Sequence, residues 1–417
     1  MKTTLVPLSH PPAGSVNLPA GKSEHNRLRM IQAYAGERIE LLHPSDSADS
    51  LLLDHLLDEI STSDGASSGT VVLNCNNAGT VLRFLLTFIS QKQGKWMLTG
   101  SARMLARPIG ALVDALIDLG ANISYLGNIG YPPLLVQGDR LEGGAVRLDS
   151  SQSSQFASSL MLAAPMFKKG LEISFTTPPS SASYIQLTAS LMNSCGASAT
   201  FTDNRIFIAP KPYVGCQAKV GSDWSAAAFW YELLAISRVG ELLLHGLDMN
   251  SPQGDRIIAD VFTHLGVETF NHQQGVLIRA TGRHSDSFEV DVHHYPDLFP
   301  ALAATCAALQ IPSTFSGISN LRIKESDRIL AMRSELAKLG YTLQEINKKV
   351  YISGTHIPQD VNEFHRLCSW DDHRIAMALA PLTLVSGPIE IDGSEAVVKS
   401  YPGFWSQLKA SGAIAVS

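Results

Sequence analysis

Cysteine is scarce in this chain: five in 417 residues, at Cys75, Cys195, Cys216, Cys306 and Cys368. The set is odd in number and has no short spacing. It argues against a disulfide framework and a zinc site, and fits a reducing cytoplasm. An excess of positive charge is missing too. Lys and Arg total 32 against 38 Asp and Glu, a formal net charge of −6. A general nucleic-acid or anionic-membrane binder is expected to be basic, so neither class is favoured. Any anionic ligand must be met by local clusters of Lys and Arg. No run approaches the ~18 uninterrupted apolar residues of a membrane span; a long candidate, Phe156–Phe167, is broken by Ser and Pro. The stretch Met1–Pro12 has no apolar core before Pro7, His10 and Pro11, so it does not read as a signal peptide. What is present is a 45% hydrophobic composition with 17% charged residues, which excludes a disordered polymer.

The punctuation repeats. Five segments read as an amphipathic helix, then Gly, then short strands: Leu112–Leu119, Leu187–Cys195, Ile258–Leu265, Ile329–Leu339 and Phe404–Ser411. Their stops, Gly120, Gly196, Gly266, Gly340 and Gly412, recur every 70–76 residues. Gly just past a helix adopts the left-handed conformation cheaply and ends the helix. The strands after the first four stops include Ala121–Tyr125, Ser198–Phe201, Gln274–Arg279 and Lys349–Ser353. A second series, out of phase, starts near Asn77, Ser154, Asp223, Asp297 and Asp372. These are residue types favoured at N-caps. The helices that follow, such as Ala226–Ile236 and Ala301–Leu309, carry few charges and read as buried. A sixth, irregular unit begins at Ser23. Two series with one period point to a true repeat of about 72 residues and an α/β fold, with a boundary near Gly221.

Helix starts expose unpaired N–H groups and the positive end of a dipole, which attract anions. Basic residues accompany them: Lys22 and Arg27, Arg83, Arg107 within the loop Arg103–Gly110, Lys324 and Arg328, and Arg374. Together they suggest several cations around a multiply anionic small ligand. Gly21-Lys22-Ser23 is not a nucleotide P-loop, because the required earlier Gly falls on Val16. Trp370–Arg374 has no second His/carboxylate cluster beside it, so Asp372 reads as a cap rather than a metal ligand. The polar run Asp149–Gln155 offers hydroxyls and an amide at a helix start.

These motifs resemble the 5-enolpyruvylshikimate-3-phosphate synthase family along essentially the whole chain. The match rests on L-P-A-G-K-S-E-H-N-R (Leu18–Arg27), N-A-G-T-V-L-R (Asn77–Arg83) and the segment Leu98–Gly110. S-S-Q-F (Ser153–Phe156), Y-P-D (Tyr295–Asp297), R-I-K-E-S-D-R (Arg322–Arg328), D-D-H-R-I-A-M (Asp371–Met377) and K-S-Y-P (Lys399–Pro402) follow in the family's order. The resemblance implies an α/β fold of two similar domains, each of three helix/strand repeats around buried helices. This is the inside-out α/β barrel of the enolpyruvyltransferase type. One lobe would span 20–221 and the other 1–19 plus 222–417, with the active site in the cleft between them. The implied reaction moves the enolpyruvyl group of phosphoenolpyruvate to the 5-hydroxyl of shikimate 3-phosphate and releases phosphate. No metal or organic cofactor is implied, and no partner beyond the two small substrates; a cytoplasmic monomer is expected. Glyphosate, an anionic mimic, is expected to compete with phosphoenolpyruvate.

Residue by residue, the resemblance makes Asp297 the base at the 5-hydroxyl, and Glu325 and Lys22 the candidates for proton traffic at C3. Phosphoenolpyruvate would meet Lys22, Asn77, Gly79, Arg107, Gln155, Arg328, Arg374 and Lys399. Shikimate 3-phosphate would meet Lys22, Ser23, Arg27, Ser153, Ser154, Gln155, Ser181, Asp297, Asn320 and Lys324. Gly21, Phe84, Ser183, Trp224 and Ala226 depart from the family's common pattern. The sister transferase acting on UDP-N-acetylglucosamine shares the fold but usually carries a loop Cys, where this chain has Ser101. An RNA 3′-phosphate cyclase-like protein shares the repeat, but the negative charge argues against it.

Overall fold

The computed structural model describes residues 1–36, 38–63, 69–202, 204–357 and 364–417. The chain divides into two compact bodies, Lys22–Val220 and Met1–Gly21 joined with Gly221–Ser417.

In Lys22–Val220 the helices that carry the site are α1 (Lys22–Ala35), α2 (Gly79–Ile89), α3 (Ser154–Ala163) and α4 (Ala182–Ser194). All of α2 but Thr80 is buried, as is all of α3 but Gln155. Apolar residues on every side of a helix can be satisfied only inside a body. The sheets lie outside. Thr70–Asn74 runs parallel to Gly94–Thr99, which pairs antiparallel with Leu134–Gly138, and that strand with Asn122–Tyr125. Gly144–Leu148, Leu171–Phe175, Arg205–Ile208 and Ala199–Thr202 repeat the same order. Leu171, Ile173 and Phe175 turn to the core while Glu172 and Ser174 face outward, the alternation expected of a half-buried strand. The irregular unit is a parallel pair only, Ile39–Leu42 with Cys216–Lys219.

The other body contains α5 (Trp224–Ser237), α6 (Phe299–Ala308), α7 (Arg328–Lys338) and α8 (His373–Leu379). Every residue of α6 and α8 is buried, and all of α5 up to Ile236. Burying each large apolar side chain is worth about 1.5–3 kcal/mol, so these helices anchor the core. Three four-stranded sheets surround them, again with one parallel pair followed by two antiparallel pairings. In the third, His365–Cys368 and Ile389–Asp392 are continued by Lys2–Pro7 and Ile414–Val416, so both chain ends supply strands. Glu232 on α5 is wholly buried, and neither carboxyl oxygen is hydrogen-bonded among the described residues. Burial pushes its pKa well above the usual carboxylate range.

The five glycine stops all have positive φ, from +77° at Gly412 to +96° at Gly120. The N-caps are less uniform. Ser153, Asp223 and Asp372 cap their helices through side-chain oxygens. Asn77 and Asp297 do not: each lies two residues before its helix, and the caps are Ala78 and Leu298. Asp297 is drawn away by distant guanidiniums. The segment Ile258–Leu265 is not one helix but a short α turn followed by a 3-10 turn, Phe262–Leu265. The loop Arg103–Gly110 begins within a helical turn, Ala102–Leu105. Among the described residues no helix is long and apolar enough to cross a membrane, and no group of His, Cys, Asp and Glu could hold a metal ion.

Candidate active site

The expected residues fall into two sets, one in each body. Lys22–Val220 holds Lys22, Ser23, Arg27, Asn77, Gly79, Arg107, Ser153, Ser154, Gln155 and Ser181, most of them at or near helix starts. Lys22 opens α1 and its Nζ pairs with Asp49 Oδ2 at 2.9 Å. Gly79 opens α2. A Cβ there would lie 2.5 Å from Arg83 Nη1 and 2.8 Å from Arg107 Nη2. The missing side chain is therefore what lets two guanidiniums crowd the helix start. Arg83 donates to the carbonyls of Gly79 (3.1 Å) and Pro108 (3.0 Å) and lies over the Phe156 ring. Arg107 Nη1 donates to the Asn77 carbonyl at 3.4 Å. Among the described residues neither amide atom of Asn77 has a hydrogen-bond partner, although both are buried.

Gln155 bridges two helix starts: its Nε2 donates to Thr80 Oγ1 at 2.9 Å, while its Oε1 is buried without a partner among the described residues. Ser153 caps α3, and Ser154 is its first residue. Ser181 precedes α4 at φ 53°, a left-handed conformation uncommon outside Gly and Asn, and its side chain does not cap the helix. Arg27 is placed differently from a surface cation. It is buried, donating to Thr188 Oγ1 (2.7 Å), the Ser23 carbonyl (2.9 Å) and Ser158 Oγ (3.2 Å), between the rings of Phe84 and Tyr184. Burial lowers its pKa to about 10, against the pull of Tyr184 and Glu24. It ties α1, α3 and α4 together.

The other body holds Asp297, Asn320, Lys324, Glu325, Arg328, Arg374 and Lys399, of which Asp297, Glu325, Arg328 and Arg374 meet near the starts of α6, α7 and α8. Asp297 Oδ1 accepts from Arg328 Nη1 at 2.7 Å, and its Oδ2 pairs with Arg374 Nη2 at 2.9 Å. Burial alone would raise this carboxyl, but Arg374, then Arg328 and Lys324, outweigh it and hold it well below the usual range. Arg328 is 1% exposed, and also donates to Glu325 Oε2 (3.1 Å) and Asp372 Oδ2 (3.0 Å). Burial works against its charge; Asp372, Asp297 and Glu325 more than restore it. Asp372 does two jobs. Its Oδ2 takes Arg328 and Ser326, and its Oδ1 accepts the Arg374 N–H at 3.0 Å, which caps α8. Lys399 Nζ donates to the Asp371 carbonyl at 2.7 Å, beside that cap. Asn320 is buried.

Two supporting residues escaped the sequence reading. Glu335 on α7 accepts from Trp370 Nε1 (2.8 Å), the Cys368 N–H (2.9 Å) and Lys338 Nζ (2.7 Å). It thereby holds Trp370 and Asp371, both at positive φ, just ahead of Arg374. Asp255 accepts from Ser225 in the first turn of α5. Burial raises its pKa to about 7, helped by the nearby Asp297 charge and opposed by Arg374 and Ser225. No local spacing reveals either one, since both act on residues about 30 or more positions away.

Comparison with known proteins bears on these two sets. Residues 9–408 match the family model described as EPSP synthase (3-phosphoshikimate 1-carboxyvinyltransferase). A 3-phosphoshikimate 1-carboxyvinyltransferase of Bacteroides fragilis is 38% identical over 400 residues, covering 95% of each chain. One from the archaeon Methanoculleus marisnigri is 33% identical over 411 residues, covering 94% of this chain and 96% of its own. A solved structure of EPSP synthase from Acinetobacter baumannii superposes with a TM-score of 0.76 at 24% identity, covering 100% of this chain and 99% of the other. That likeness confirms the inside-out α/β architecture. The chain belongs to the EPSP synthase family.

Proposed function

We propose that this protein is a 3-phosphoshikimate 1-carboxyvinyltransferase, joining phosphoenolpyruvate to the 5-hydroxyl of shikimate 3-phosphate with release of phosphate. The observation that carries the reading is the Asp297–Arg328–Arg374 cluster, a carboxylate held by two guanidiniums at 2.7 and 2.9 Å. It combines a base with the cations that an anionic substrate needs. Both sets of residues, one in lobe 20–221 and one in lobe 1–19 plus 222–417, are proposed to act on the same substrate pair. The enzyme is proposed to work as a cytoplasmic monomer.

In the proposed sequence, the 5-hydroxyl oxygen attacks C2 of phosphoenolpyruvate as its proton passes to Asp297. C3 gains a proton from Lys22 or Glu325, giving a tetrahedral intermediate. C3 then loses a proton, the C2–O bond to phosphate breaks, and phosphate departs. Arg107, Arg328, Arg374, Lys399 and Lys22 offset the charge of phosphoenolpyruvate, with Asn77, Gly79 and Gln155 beside them. Ser23, Arg27, Ser153, Ser154, Gln155, Ser181, Asn320 and Lys324 would hold shikimate 3-phosphate. Asn77 Nδ2 is suited to donate to a ligand oxygen, and Asn77 Oδ1 and Gln155 Oε1 to accept from a ligand hydroxyl.

A carboxylate paired with two guanidiniums is a weak base. In this reading the carboxylate of phosphoenolpyruvate takes over part of Arg328 and Arg374. Asp297 then gains basicity as the second substrate arrives, which keeps proton removal tied to a complete pair. The test is phosphate release with phosphoenolpyruvate and each of two acceptors. Release with shikimate 3-phosphate and none with UDP-N-acetylglucosamine is expected; the reverse pattern would overturn the reading.

A further inference from the structure

The five cysteines are free thiols, but two of them are neighbours. Cys216 Sγ lies 3.4 Å from Cys195 Sγ, within Lys22–Val220. Cys195 is the wholly buried C-cap residue of α4, and Cys216 opens the strand paired with Ile39–Leu42. The backbones are tied nearby, with the Val214 N–H donating to the Cys195 carbonyl at 3.0 Å. A Cβ on Gly196 would strike Val214 Cγ2 at 2.4 Å, so the two segments run in close contact.

We propose that Cys195 and Cys216 form a dithiol modification site that takes a two-electron oxidant of the peroxide or small-disulfide class. This goes beyond the transferase reading and does not depend on it. The two thiols differ in access. Cys216 is half-buried and Cys195 is shielded. Peroxide therefore meets Cys216 first, giving a sulfenic acid and one water. The Cys195 sulfur then attacks the Cys216 sulfur and a second water leaves. In total two thiols lose two electrons and two protons, and one peroxide becomes two waters. A disulfide needs the sulfurs at about 2.05 Å. Closing the remaining gap takes a small displacement, which the short strand Cys216–Lys219 can supply. Burial, then the adjoining Cys216, pushes the Cys195 thiol up to about 12. The second step is accordingly expected to quicken as pH rises.

The site closes a loop from the end of α4 to the strand through Lys219, while α4 starts next to Ser181. Oxidation would staple that helix at the end remote from the proposed substrate contacts.

The reduced, full-length protein is treated with hydrogen peroxide or diamide, then unfolded, alkylated and mapped by mass spectrometry. Expected is a loss of two mass units, a fall from five titratable thiols to three, and a crosslinked peptide joining Cys195 to Cys216. In Cys195→Ala peroxide should instead leave Cys216 as a sulfinic acid, and diamide should join it only to the thiol of a second protein molecule. Cys216→Ser should keep basal activity and lose the crosslink. A wild-type map with Cys195 still alkylated while Cys216 is over-oxidised, or with Cys368 oxidised first, would overturn the proposal.

Discussion

The two bodies solve the burial of arginine in different ways. In Lys22–Val220, Arg27, Arg83 and Arg107 donate to carbonyl and hydroxyl oxygens, and Arg27 and Arg83 lie against aromatic rings. In the other body, Arg328 and Arg374 pair with Asp297, Glu325 and Asp372. Neutral dipoles, such as the hydroxyls and carbonyl around Arg27, do not cancel a cation's charge. Carboxylates cancel it, so an anion must displace a partner before it gains the full interaction. The first arrangement suits standing attraction for a phosphate, and the second suits exchange.

The largest effect is expected on the carboxylate side. Asp297→Asn should lower kcat by about a thousandfold, the scale of losing a general base, while shikimate 3-phosphate binding changes little. Near-normal turnover would remove Asp297 as the base. On the neutral side, Gly79→Ala should displace the Arg83 and Arg107 guanidiniums. KM for phosphoenolpyruvate should rise roughly tenfold, and overpacking of this kind, about 1–3 kcal/mol, should lower the melting temperature by a few degrees. An unchanged KM would mean that the crowded helix start does not serve that substrate.

Glu335→Ala probes the carboxylate side one step removed. It leaves the Trp370 indole N–H and the Cys368 amide without their acceptor, a loss of about 1–3 kcal/mol for a buried donor. KM for phosphoenolpyruvate should rise several-fold, and Glu335→Gln should recover part of it by keeping an acceptor oxygen. Loss of stability with unchanged KM would make Glu335 a purely structural group.

The smallest effect concerns Glu232, which lies outside both sets. Its pKa is raised in the fold, so the folded state binds the proton more tightly than the unfolded chain. The stability it supplies is therefore full below the unfolded carboxylate pKa and falls as pH rises toward the folded value. Glu232→Gln should raise the melting temperature by a few degrees at pH 8 and by less at pH 5. A pH-independent shift would point to a partner for that carboxyl.

The repeat was legible because its marks are local. A glycine at positive φ ends a helix whatever surrounds it, and all five stops behave so. Caps were legible only in part. Asp223 and Asp372 bond the N–H groups just after them, but Asp297 answers to Arg328 and Arg374, far along the chain. Hydrophobic periodicity did not separate an α-helix from the mixed turns of Ile258–Leu265. The candidate residues could be named from motifs. Glu335, Asp255 and the Cys195–Cys216 contact could not, because each depends on segments that meet only after folding.

The strand Lys2–Pro7 sits between Ile389–Asp392 and Ile414–Val416, and Thr3 Oγ1 bonds Ser394 Oγ at 2.8 Å. During synthesis, Lys2–Pro7 thus waits for partners made only after the whole of Lys22–Val220. The described strands of Lys22–Val220 pair among themselves, so that body can order earlier. The body that holds Asp297 stays open along one sheet until Ile414–Val416 is made, so a chain stalled before that strand would carry an unsealed, aggregation-prone edge.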